Sequence, residues 1–121
     1  MRNKDRIALE KMTSYANELL SYVDGMDYDA FTNDRKTLSA CAFIISQMGE
    51  LVTVVSEEAQ SEHTTIPWRN IKGMRNRIIH DYEKVDYLVL WKTIEESIPQ
   101  LIEAVQTVLE KFPADEESST K

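Results

Sequence analysis

Residues 74–82, MRNRIIHDY, hold two arginines, an asparagine, a histidine and a tyrosine within nine positions of an acidic chain. Arg75, Asn76, Arg77, His80 and Tyr82 suit one reaction class. RNA is cut without a metal when its 2′-hydroxyl attacks the neighbouring phosphorus. That hydroxyl must lose a proton and the leaving 5′-oxygen must gain one. An imidazole titrating near neutrality serves both ends of the transfer. A guanidinium fork stabilises the extra negative charge that builds on phosphate. Asn76 is placed to orient the imidazole or to contact phosphate. A single histidine per chain leaves acid and base to one group. A two-fold homodimer with the site on its axis would supply a second copy of His80.

Composition narrows the setting. The chain has 121 residues, 42% of them hydrophobic, and a net charge of −7. This length fits one domain with a substantial core. Residues 67–84 carry five basic side chains (Arg69, Lys72, Arg75, Arg77, Lys84) against two acids (Asp81, Glu83), a net +3, so the remainder carries −10. A basic site on an acidic body fits a short phosphate-bearing target better than long duplex DNA. No unbroken apolar run reaches membrane-spanning length, and the charged start lacks a signal-peptide core. Cys41 is the only cysteine. The expectation is a cytoplasmic protein with no disulfide and no membrane partner. His63 and His80 are the only histidines, no spacing brings carboxylates to either, and no cofactor or metal is expected.

The elements that must position these groups read as helices. Leu9, Met12, Ala16, Leu19, Leu20 and Val23 predict a helix over about 5–23, stopped by DGMD at 24–27. A second, capped at Asn33 or Asp34, is predicted to reach Ala59 through Leu38, Cys41, Ile45, Met48, Val52 and Val55. A polar loop, QSEHTTI, follows. Pro67 opens a third helix carrying Trp68, Ile71, Met74, Ile78 and Ile79 to roughly His80. On that helix Asn76, Arg77 and His80 fall within about 100° of one another, with Arg75 flanking. A fourth helix, capped by Asp86, runs through Leu90, Trp91, Ile94, Ile98, Leu101, Val105, Val108 and Phe112, with a kink expected at Pro99. The fold class is all-α, a bundle of about four to five helices over residues 1–112. An acidic tail, 113–121, has nothing to bury and is expected to be disordered. Cys41, Trp68 and Trp91 read as core, and His63 reads as surface. Glu50 is either exposed or paired with an arginine of the motif.

Arg75-Asn76-x-x-x-His80-x-Tyr82 resembles the R-x4-H-x-Y signature of HEPN-domain proteins, and in particular the HepT toxin family. The likeness extends to YVDGMDYDAF, to MGE at 48–50, to IPWRNIKGMRN, to VDYLVLWKTI and to the IP of the last helix, covering roughly residues 5–110. Leu51 departs from the small residue expected after Glu50. The resemblance implies a helical homodimer with an RNA-cutting site at its interface, where Arg75 and His80 are catalytic and Asn76 holds the polar position beside them. It also implies a partner antitoxin, an MntA-like nucleotidyltransferase of a type VII system, that transfers AMP to Tyr82. Arg77, Lys72 and Arg69 are further candidates for RNA contact. The competing reading is a non-catalytic HEPN subunit that binds nucleotide or substrate for a nucleotidyltransferase. The intact R-x4-H pair favours the ribonuclease.

Overall fold

The computed structural model describes residues 1–81 and 84–112, with His80 and Asp81 described through their backbone only. Among the described residues, seven α-helical segments form the body: α1 (Asn3–Tyr22), α2 (Tyr28–Thr32), α3 (Arg35–Val54), α4 (Glu57–Glu62), α5 (Trp68–Ile78), α6 (Tyr87–Lys92) and α7 (Ile98–Lys111). Strands β1 (Ile79–Asp81) and β2 (Lys84–Val85) lie between α5 and α6. The fold is an all-α bundle. α3 lies at its centre, packed on α1 and α5, and α7 lies against α1. Leu9, Met12, Leu19, Ile45, Met48, Ile78 and Val105 are fully buried between these helices.

α3 is apolar enough and long enough to cross a membrane by length and composition alone, with a mean hydropathy of 1.4 over its best window. Its place between two other helices accounts for part of that composition, while Phe43 and Val54 on its outer side stay exposed. Gly49, from MGE, lets α5 approach closely. A Cβ there would lie 3.4 Å from the Lys72 carbonyl oxygen.

The caps follow the sequence. Asp34 accepts from the Thr37 amide and Asp86 from the Val89 amide. The Asp34 carboxyl is held below its usual range, chiefly by its bonds to Thr37. Gly25, at φ 79°, makes the left-handed turn that ends α1.

Four boundaries differ from expectation. The segment after DGMD forms α2, capped by Asp27 and held by Phe31, which is fully buried with its ring 4.9 Å from that of Trp91. The second predicted helix stops at Val54 rather than Ala59, and α4 takes over part of the predicted polar loop. Val55 is extended, and Ser56 caps α4 through the Ala59 amide. The decisive partner is distant in sequence. Asp5, buried on α1, accepts from both the amide and the hydroxyl of Ser56, each at 2.7 Å. Asp5→Ala strands both donors and should cost about 2–3 kcal/mol, read as a lower urea midpoint with an unchanged slope. An unchanged midpoint would show that water replaces the carboxylate at no cost.

His63, expected at the surface, is buried at 8% exposure. Its ring meets Phe112 edge-on at 5.0 Å, and its carbonyl accepts from the Trp68 indole at 3.0 Å. The loop folds inward because Ile66 and Trp68 on either side of Pro67 are both buried. Cys41 is core, as expected, and burial pushes its thiol up to about 12. Trp91 is half-buried against Tyr28 and Phe31.

The third predicted helix was expected to reach His80 but ends at Ile78, as described with the site below. The last helix runs from Tyr87 to Lys111, and Thr93–Ser97 form a π-helical turn within it. Pro99 offers no amide to the Glu95 carbonyl and its ring crowds that oxygen. The wider turn removes the conflict, and the Ile98 amide donates to Thr93, five residues back. Thr93 also donates its hydroxyl to the Val89 carbonyl at 2.7 Å, a bond that tends to bend helices. The expected distortion at Pro99 is thus present as a π turn just upstream. The tail 113–121 lies outside the described residues.

Candidate functional site

α5 is built to present a basic face. Trp68, Ile71, Met74 and Ile78 are buried at helical spacing, so Arg69, Lys72, Arg75, Asn76 and Arg77 are left exposed. Arg75 and Arg77 lie in the last turn, where the helix dipole favours cations. They do not share a flank. Two residues apart means about 200° around the axis. Arg77 lines a groove toward α7 with Thr65, Asn70, Ser97 and Gln100. Lys72 and Arg69 line another groove, formed with Val52 and Thr53 of α3 and with Glu57 and Gln60 of α4. Arg75 lies on the Lys72 side of the helix.

The helix ends where the motif turns toward its histidine. Ile79 is extended, at φ −110° and ψ 108°, while its amide still closes on the Arg75 carbonyl. β1 then pairs antiparallel with β2, with Ile79 opposite Val85 and Asp81 opposite Lys84. Two steps on one strand face one step on the other, so His80 is the extra residue of a β-bulge. The Asp86 amide donates to the Ile78 carbonyl at 2.7 Å and closes the base of the pair. This overturns the expectation that His80 shares a helical face with Asn76 and Arg77. β-branched Ile78 and Ile79 fit an extended pair as well as a helix, and the ladder to Lys84–Val85 decides between them. Arg75 and Asn76 are therefore carried by a helix, and His80 by a bulged strand leaving it. Bulges recur beside active sites because they re-aim a residue out of the regular alternation. Tyr82 lies outside the described residues.

Beside this strand pair is an open cleft of about 640 Å³, lined by Arg35, Leu38, Ser39 and Ala42 of α3 and by Ile79, Val85 and Tyr87. Arg35 was missed by the sequence reading, since it is far from the motif in the chain and looks like an ordinary first-turn residue. One local signal was available: a cation at a helix N-terminus opposes the dipole. Glu50 is exposed, and among the described side chains no arginine pairs with it. Leu51 is half-buried against the core.

A helix bearing arginine and asparagine that runs straight into a bulged histidine gives the R-x4-H pattern a definite local structure. The family described as Ribonuclease HepT-like matches residues 12–108. The chain belongs to the HepT-like ribonuclease family. A HepT relative from Thermococcus cleftensis, named "Probable ribonuclease HepT", is 31% identical over 84% of this chain and 92% of its own length. A protein of Caldanaerobacter subterraneus subsp. tengcongensis, named "Putative RNase", is 32% identical over 85% of this chain and 92% of its own. Another from Methanocaldococcus jannaschii, also named "Putative RNase", is 25% identical over 92% of each chain. No solved structure matches. The HepT-like match covers every described part of the site, from α3 to α7, and supports ribonuclease activity on RNA.

Proposed function

We propose that the protein is a metal-independent endoribonuclease toxin acting in the cytoplasm, with a site composed from two copies of the chain. Arg75 and His80 are its catalytic pair, and Asn76 is the polar group beside them. The observation that carries the reading is the junction of α5 and β1, which holds Arg75 and Asn76 exposed and sets His80 out of register in a bulge. The His80 imidazole takes the 2′-hydroxyl proton. The same residue of a second copy gives a proton to the leaving 5′-oxygen, and Arg75 binds the charged phosphorane. Arg69, Lys72 and Arg77 add phosphate contacts along α5.

The second copy is supported by an exposed strip of α3 next to the motif. Phe43 is 59% exposed there, beside Ser39 and Ala42 of the cleft that Ile79 and Val85 complete. Such a face is suited to burial against its own copy across a two-fold axis. The toxin is silenced by a partner nucleotidyltransferase that attaches AMP to Tyr82.

The test is cleavage of RNA by purified protein in EDTA. Products ending in 2′,3′-cyclic phosphate are expected, with undiminished rate after chelation. Loss of activity with EDTA, restored by Mg²⁺, would replace this mechanism with a metal-dependent one.

A further inference from the structure

The groove between α5 and α7, lined in part by Arg77, holds none of the groups that move protons in the mechanism above. It holds about 340 Å³, within the roughly 300–1,000 Å³ usual for small-molecule pockets. Its floor is apolar, made by Ile71, Met74, Ile98 and Leu101, all buried. Polar residues complete its lining: Arg77, Asn70, Gln100, Thr65 and Ser97, all exposed. Arg77 lies back along its own helix, its Nη1 being 3.6 Å from where a Cβ on Gly73 would stand. A planar apolar body with hydrogen-bonding edges and an attached anion would use all three kinds of group. A nucleotide is such a ligand.

We infer that this pocket seats one nucleotide of the RNA strand a few positions from the cut, its base on the apolar floor and its phosphate at Arg77. The inference rests on the ribonuclease reading for its substrate. Arg75 and Arg77 lie on opposite flanks of one helix roughly 10–12 Å across, so a strand held at Arg75 follows the exposed surface for about 20 Å, a few nucleotides, to reach the pocket. It passes over Asn76, which is exposed between them on the solvent side of the helix. Asn70 and Gln100 then read the edge of that base, and the enzyme prefers some bases over others at this position.

The experiment titrates each of the four nucleoside 5′-monophosphates, and an uncleavable 2′-fluoro RNA oligomer, into the protein while amide NMR signals are followed. Signals of Asn70, Arg77 and Leu101 are expected to shift. Arg77→Ala and the pocket-filling Ala104→Phe should each weaken binding by about tenfold, the loss of one base or phosphate contact. Gln100→Ala should change the order of preference among the four bases. Should Ala104→Phe fail to fold, the exposed Gln100 replaced by Trp closes the same mouth. Shifts confined to other residues, or variants that bind as tightly as the parent, overturn the assignment. Binding is read without cleavage, so the two readings fail separately. A protein that seats nucleotides here but cuts no RNA loses the nuclease mechanism and keeps the pocket.

Discussion

Arg75→Ala lowers the RNA cleavage rate by about 10²–10³, the usual loss when one charge-stabilising donor is removed from a transition state. His80→Ala lowers it by about 10²–10⁴, the share of general acid–base catalysis. Both variants keep their helical content, because Arg75 is exposed and its helix is held by the buried Trp68, Ile71, Met74 and Ile78. Arg77→Ala provides the contrast. It sits on the α7 flank of α5, so it should impair RNA binding more than the chemical step, raising KM and leaving most of kcat. Steady-state kinetics on a short RNA, with circular dichroism on each variant, read all three effects. Equal loss of kcat in Arg75→Ala and Arg77→Ala would mean that the catalytic guanidinium was assigned to the wrong flank.

The second large effect expected from the proposed function is silencing through Tyr82. Incubation with the partner nucleotidyltransferase and ATP should reduce cleavage to background, with added mass matching AMP. In that transfer the tyrosine oxygen bonds to the α-phosphorus of ATP, pyrophosphate leaves, and the phenolic proton goes to a base. The product places a negative phosphate and a bulky base two residues from His80, at most about 7 Å along the chain. The anion would occupy the Arg75 charge and the base would fill the space needed by the substrate. Tyr82→Phe should remain active in the presence of partner and ATP. Full silencing of Tyr82→Phe, or AMP still carried by it, would place the modification elsewhere.

The long helices were legible because each buries an unbroken apolar stripe, and Asp34 and Asp86 stood where caps belong. α2 and α4 were not. Five or six residues carry too little periodicity, and what holds α4 is Asp5, 51 positions away from Ser56. The burial of His63 was hidden for a similar reason, since the Phe112 ring that covers it comes from the far end of the chain. At the site, residue types and their order could be read directly. Their shared helical face could not, because Ile78 and Ile79 continue a helical pattern that the strand pair interrupts. Arg75 was read as flanking the face that carries Arg77, whereas the two stand about 200° apart around α5, with Arg77 turned toward α7. The pocket that gives Arg77 its setting needed α7 to be placed.

The wide turn at Thr93–Ser97 has a consequence for how this chain tolerates change in length. It takes in about one residue more than a regular turn, which offsets everything after it by roughly 100° around the axis. The half before it faces α2 and α5, and the half after it faces α1. Deleting one residue between 93 and 97 would swing Leu101, Val105 and Val108 away from α1. Lengthening or shortening the exposed link between α1 and α2 would leave that alignment alone. Insertions and deletions should therefore be scarce in this turn among relatives that share the same packing, even though Glu95, Glu96 and Ser97 are all exposed to solvent.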